Sequence, residues 1–240
     1  KNANIITKTG ILENHSVLCD ADKITQIGPD GDFAKESAID IIDAGGNYLA
    51  PGFIDLHSHG LCTYLIDNGP DDLANMCKLL PQYGVTGFLP TVCPLPKGRD
   101  AEFIKSLSEV KSQGAQILGF HLEGPFLTLT GALPPEALGN ADPERVKALI
   151  AAASPYNAIF SIAPDFEDIE ELIGLMAQNN TPVFITHTKA NVKQTQIAID
   201  SGARHATHFY DVFPCPAESD PGVRHCGAVE AILAERKVSV

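Results

Sequence analysis

From Pro51 onward, short apolar runs alternate with longer amphipathic stretches, and this alternation limits the fold more than any other feature of the chain. Residues 53–59, 84–92, 117–123, 158–163, 182–186 and 205–210 read as strands. Residues 71–83, 101–112, 142–153, 168–179, 194–201 and 227–235 read as helices. Asp142 followed by Pro143 marks one helix start, a side-chain acceptor ahead of a ring that lacks the N–H the first turn would leave unpaired. Six strand–helix units, with Val238 opening a seventh strand, imply a parallel sheet covered by helices. The expected fold is α/β, a (β/α)8 TIM-like barrel, incomplete at the C-terminus. An open doubly wound sheet is the alternative, but no glycine-rich fingerprint follows the first strand.

Residues 1–50 have another texture. Ile5-Ile6, Ser16–Leu18, Lys23–Ile27 and Ile39–Ile42 are short strand signals broken by Thr9-Gly10, Asp20, Gly28-Pro29 and Gly45-Gly46. They make a small β-sheet unit, too short to close a core alone. The 240 residues carry 30 acidic against 17 basic side chains, a net charge of −13. Such a chain suits neither nucleic acid nor an anionic membrane as partner. No apolar run approaches the roughly 18 residues of a membrane span. Residue 1 is Lys, and the sequence opens directly into an alternating pattern. Six scattered cysteines without a CxxC pair read as free thiols, so a cytoplasmic location is expected.

The chemistry gathers at strand ends. The first strand ends in His57-Ser58-His59, the third in His121-Leu122-Glu123 and the fifth in Thr186-His187-Thr188; the sixth carries His208. Residues two apart on a strand share a face, so His57 and His59 point the same way. In a barrel the C-terminal strand ends converge on one mouth. A single strand-end histidine is ordinarily a hydrogen-bonded structural residue. Four strand ends carrying imidazoles and one carboxylate point to a divalent metal, Zn²⁺ first, with Fe²⁺, Ni²⁺ or Mn²⁺ as alternatives. His121 reads equally as a ligand or as a neighbour of the ligands. His15, His205 and His225 read as structural or exposed.

Four segments carry a specific resemblance: Leu49–Gly60 (LAPGFIDLHSHG), Gly84–Thr91 (GVTGFLPT), His121–Phe126 (HLEGPF) and Ala206–Tyr210 (ATHFY). Together they resemble the amidohydrolase superfamily, and within it the N-acetylglucosamine-6-phosphate deacetylases. The resemblance implies one or two metal ions held by His57, His59, Glu123, His187 and His208. It implies metal-assisted hydrolysis of the acetamide of an N-acetyl amino sugar or its 6-phosphate, a small-molecule substrate, and a homodimer. Residues 1–50 would then be the N-terminal part of a small β-sandwich, and residues 51–240 the first six to seven units of the hydrolase barrel. The general acid/base aspartate of the eighth strand is expected beyond Val240. Other readings are a hydrolase of another N-acyl or cyclic amide compound and a non-catalytic metal-binding barrel remnant.

The chain departs from the family pattern around the sugar. Leu133 stands where the resemblance expects a histidine after the third strand. Tyr210, Asp211 and Val212 follow His208-Phe209, with Asp211 in place of an asparagine near the phosphate. Ser219 occupies the place of the arginine that grips the phosphate, and Arg224 is the nearby substitute. Leu133, Tyr210, Asp211, Val212 and Arg224 are therefore the expected substrate-binding positions.

Overall fold

The computed structural model describes residues 1–33 and 40–240, which divide into two compact units, Lys1–Gly52 and Phe53–Val240. The first unit is a four-stranded sheet of β1 (Ala3–Thr7), β2 (Gly10–Asp20), β3 (Lys23–Pro29) and β4 (Tyr48–Leu49), in the order β3-β2-β1-β4. The β1–β2 and β2–β3 pairs are antiparallel, whereas β4 joins β1 in parallel with Asn4 opposite Tyr48 and Ile5 opposite Leu49. Asp30 ties the unit together by accepting from Ser16 Oγ at 2.6 Å and from the Asn2 amide at 3.1 Å. Of the strand signal at 39–42, Ile39 lies outside the described residues. Asp40–Ile42 forms no strand, and Ile41 and Ile42 are exposed. Tyr48–Leu49 takes that place in the sheet.

The second unit alternates strand and helix. Its main elements are β5 (Phe53–Ser58), α1 (Pro70–Leu79), β8 (Val85–Val92), α2 (Arg99–Ser108), β10 (Phe120–Glu123), α3 (Pro143–Ala153), β11 (Ala158–Ile162), α4 (Ile169–Gln178), β12 (Val183–Ile185), α5 (Val192–Ser201), β13 (His205–Ala206) and α6 (Ala228–Ala234). Short hairpins β6 (Gly60–Leu61)–β7 (Tyr64–Leu65) and β14 (Glu218–Asp220)–β15 (Val223–Arg224) interrupt the alternation, and β9 (Gln116–Ile117) pairs with β8. The sheet runs β13-β12-β11-β10-β8-β5 and every pair is parallel. Strand order follows chain order without a reversal. A doubly wound sheet would reverse at its switch point, so the curled half-barrel replaces that alternative. Ser239 extends the order, bridging in parallel to His205 as the seventh strand begins.

The inside and outside of the curl follow the two-residue period of each strand. Phe88 and Val92, Phe120 and Leu122, Phe160 and Ile162, and Val183 and Ile185 enter the large core that also takes in the helices. Their neighbours point the other way. Leu89, Ile159 and Phe184 form a separate apolar cluster on the inner face. The next inward positions are polar and buried: Thr91, His121, Glu123, Ser161 and Thr186. Fully burying a side chain such as Phe160 contributes about 1.5–3 kcal/mol, so the outer layer supplies stability while the inner face is left for polar groups.

Local signals set the element ends. Asp142 caps α3 by accepting from the Arg145 amide. Asn191 and Gln194 form a reciprocal capping box on α5, which starts two residues ahead of the expected 194. The expected helix 71–83 divides, because Pro81 has no N–H to donate. The α-helix stops at Leu79, a 3-10 turn covers Leu80–Tyr83, and Gly84 ends it at φ 78°. The sixth strand is shorter than the expected 205–210. The backbone turns left-handed at His208 (φ 31°) and Tyr210 (φ 79°), which ends extended pairing after Ala206.

Candidate metal centre

Glu123 closes β10 pointing inward, and its side chain is 2% exposed. Its two oxygens face two different pairs of histidines. Oε2 lies 2.8 Å from His59 Nε2 and 3.3 Å from His57 Nε2, both from the end of β5. Oε1 lies 3.1 Å from His187 Nε2, just past β12, and 2.7 Å from His208 Nε2, just past β13. Two sets of donors, His57–His59–Glu123 and Glu123–His187–His208, each have their ligand atoms within 4.8 Å of one another. Four imidazole nitrogens from three strand ends thus converge on one carboxylate.

The outward nitrogens explain the orientation of the rings. His187 Nδ1 lies 3.1 Å from the Leu129 carbonyl, and His208 Nδ1 3.3 Å from the Asp211 carbonyl. A carbonyl only accepts, so each Nδ1 carries the hydrogen. In the neutral ring Nε2 is then a lone pair aimed at a carboxylate, acceptor against acceptor, which needs a cation between the two. His59 Nδ1 meets Cys93 Sγ at 3.5 Å. His57 Nε2 is a buried nitrogen whose angle to Glu123 makes no hydrogen bond, and it has no other partner. Outward Nδ1–H groups anchored on backbone, inward Nε2 lone pairs and one carboxylate are a donor set that suits a divalent metal ion. The residues present fit a metal ion.

Burial alone would raise the Glu123 pKa, but the four surrounding histidines outweigh it and favour the ionised carboxylate, well below its usual range. For His208, burial opposes the charged form, and the facing Glu123 carboxylate overrides it and raises the pKa. His121 is wholly buried, and burial first, then the nearby His57, lowers its pKa to about 3. The Cys93 thiol is pushed up to about 12 by burial and by Asp67.

A clasp on the far side holds His187 in place. Its backbone is left-handed at φ 47°, a conformation that costs a non-glycine residue free energy. Leu129 N donates to the His187 carbonyl at 3.2 Å. Asp165, after the fourth strand, accepts from Thr128 Oγ1 at 2.7 Å and from Thr188 Oγ1 at 2.6 Å. Thr188 N also donates to the Val212 carbonyl at 3.2 Å. Asp165 carried no sequence signal of its own, because the fourth strand ends without a histidine; its place just past β11 is the cue that could have found it.

The other expected positions are spread out. Asp211 is exposed, and its carbonyl holds His208. Val212 stands at φ 57° beside Gly131. Tyr210 is 65% exposed, with its ring 4.6 Å from Phe209. Leu133 packs on the small apolar cluster of Leu127, Ala137 and Ala163. Arg224 is exposed on the β14–β15 hairpin and paired with Glu218 at 3.2 Å. Among the described residues, no helix is long and apolar enough to cross a membrane.

No family model matches the chain. Curated relatives do. It is 29% identical over 252 residues to the N-acetylglucosamine-6-phosphate deacetylase of Bacillus subtilis, covering 98% of this chain and 63% of that protein. It is 27% identical over 232 residues to the N-acetylgalactosamine-6-phosphate deacetylase of Escherichia coli O157:H7, covering 94% of this chain and 60% of that protein. The crystal structure of N-acetylglucosamine-6-phosphate deacetylase from Pasteurella multocida superposes with a TM-score of 0.83 at 27% identity, covering 99% of this chain and 62% of that one. The chain spans about three fifths of the length of these relatives.

Proposed function

We propose that this chain, N-acetylglucosamine-6-phosphate deacetylase-like in sequence and fold, is the metal-binding part of an amide hydrolase that deacetylates an N-acetyl amino sugar. The observation that carries the reading is the split use of Glu123, one oxygen toward His57 and His59 and the other toward His187 and His208. This arrangement suits one ion, or two sharing the carboxylate. Imidazole with a single carboxylate favours Zn²⁺ over Mg²⁺ or Ca²⁺. When bound, such an ion polarises an amide carbonyl and makes water a competent nucleophile near neutral pH.

The chain's own residues prepare the site for this. Glu123 supplies the one negative charge among the imidazoles and stays ionised. Leu129 and Asp211 fix the tautomers of His187 and His208 through their carbonyls. Asp165 and its two threonines hold the strained turn at His187. His57, His59 and His208 are each between a quarter and a third exposed, whereas His187 and Glu123 are buried.

The 6-phosphate named for the relatives contributes less to recognition here. Leu133, Asp211 and Ser219 supply no cation, and Asp211 repels a dianion. The test is to load the full-length protein, with the eighth-strand aspartate expected beyond Val240, with Zn²⁺ and measure acetate release from N-acetyl amino sugars with and without 6-phosphate. No release from any of them, with metal bound, contradicts the assignment.

A further inference from the structure

Beneath the histidines lies a row of buried polar groups that hydrolysis does not use. His121 Nδ1 lies 2.7 Å from the Leu56 carbonyl, and His121 Nε2 lies 2.5 Å from Ser161 Oγ. Ser161 Oγ lies 2.7 Å from Thr207 Oγ1. His121 and Ser161 are fully buried and Thr207 nearly so. The middle bond joins the neighbouring strands β10 and β11, but the two outer bonds each skip a strand: β8 stands between β10 and β5, and β12 between β11 and β13. The row is a chord across the inner face of the curl, from the first strand to the sixth. Leu56 immediately precedes His57, and Thr207 immediately precedes His208.

We propose that His121, Ser161 and Thr207 form a hydrogen-bonded crossbar that sets the spacing of His57 and His208 about Glu123, and are positioning residues for the metal. The inference rests on the metal-centre reading above. Both His121 nitrogens are taken, one by a carbonyl and one by a hydroxyl, so His121 is not itself a ligand. The Leu56 carbonyl only accepts, which places a hydrogen on Nδ1. The neutral ring then accepts from Ser161 at Nε2, and Ser161 accepts from Thr207. Each group in the row is satisfied, so removing one leaves its neighbour buried and unpaired, at a cost the polar row as a whole does not carry. An apolar filling could support the wall, but it would not fix the distance between two strand ends to within a hydrogen-bond length.

Thr207→Val keeps the shape and removes the hydroxyl, and Thr207→Ser keeps the hydroxyl. Zn²⁺ affinity by chelator competition is expected to fall about 10- to 100-fold in Thr207→Val and in Ser161→Ala, and to stay near wild type in Thr207→Ser. The double variant Ser161→Ala with Thr207→Val should lose no more than the larger single loss, because both break one row. In the wild-type protein, ¹⁵N spectra should show His121 protonated at Nδ1 and bare at Nε2, a readout that needs no substitution. Unchanged Zn²⁺ affinity in Thr207→Val, or the opposite His121 tautomer, overturns the crossbar and leaves the metal centre standing. A wild-type protein that takes up no Zn²⁺ overturns the metal centre, and the crossbar with it.

Discussion

His208 Nε2 lies 2.7 Å from Oε1 of Glu123, a residue 85 positions earlier in the chain. Two strand ends that far apart meet only because the sheet curls and the backbone turns left-handed at His208. The contact sets an expectation for the turn beside it. Gly131 has φ +54°, and a Cβ there would sit 2.9 Å from His187 Cε1 and from Val212 Cγ2. Gly131→Ala should lose about 1–2 kcal/mol from the left-handed backbone alone and should weaken metal binding by displacing the His187 ring. Chelator competition alongside thermal unfolding checks this, and a variant with wild-type metal affinity would contradict the contact.

Asp165 should matter for His187 without touching it. Asp165→Ala removes the acceptor of the buried Thr188 hydroxyl and the half-buried Thr128 hydroxyl, each bond to a charged group being worth about 1.5–3 kcal/mol. Lower thermal stability together with weaker metal binding is expected. Asp165→Asn, which keeps one acceptor oxygen, should fall in between. Equal metal affinity in all three proteins would show that the clasp does not reach the site.

The pH dependence of stability is readable at Asp142. Its pKa is lowered, first by the Lys97 hydrogen bond at 2.5 Å and then, against burial, by the Arg145 amide. A depressed carboxyl adds stability that is present above its unfolded value, here 3.8, and is lost as pH falls through the folded value. Asp142→Ala should cost about 0.5–2 kcal/mol near neutrality as a lost N-cap. The gap to wild type should narrow once pH falls below the unfolded value. Urea unfolding across that range gives the answer, and a gap that widens toward acid would reverse the sign of the argument.

Phosphate recognition gives a kinetic expectation. A charge-assisted contact to phosphate is worth about 1.5–3 kcal/mol, and Leu133, Asp211 and Ser219 provide none. The 6-phosphate should therefore raise kcat/KM for deacetylation by less than about a hundredfold. Arg224, already paired with Glu218, should change that ratio little when replaced by Ala. A larger preference that Arg224→Ala abolishes would make Arg224 the phosphate clamp.

The strand–helix alternation was legible because short apolar runs alternate with amphipathic stretches, and a proline or a capping side chain opens α1, α3 and α5. The two-residue strand period placed His57, His59 and Glu123 on inward positions. The split of Glu123 between two histidine pairs was not legible, because side-chain torsions set it. His121 reads identically to a ligand in sequence and is resolved only by its two partners across the curl. The left-handed turn from His208 to Val212 carries no glycine to announce it. Tyr48–Leu49 is too short to show a pattern, and its parallel pairing with β1 depends on contacts more than 40 residues away in sequence.

Metal content of the purified protein, compared with Glu123→Gln, tests the central claim most directly. One or two zinc-class ions per wild-type chain are expected after loading and desalting. Glu123→Gln should lose affinity well beyond the roughly 10- to 100-fold that outer partners cause, with the fold intact by circular dichroism. A wild-type protein that retains no ion, or a Glu123→Gln variant that binds metal as tightly as wild type, would contradict it.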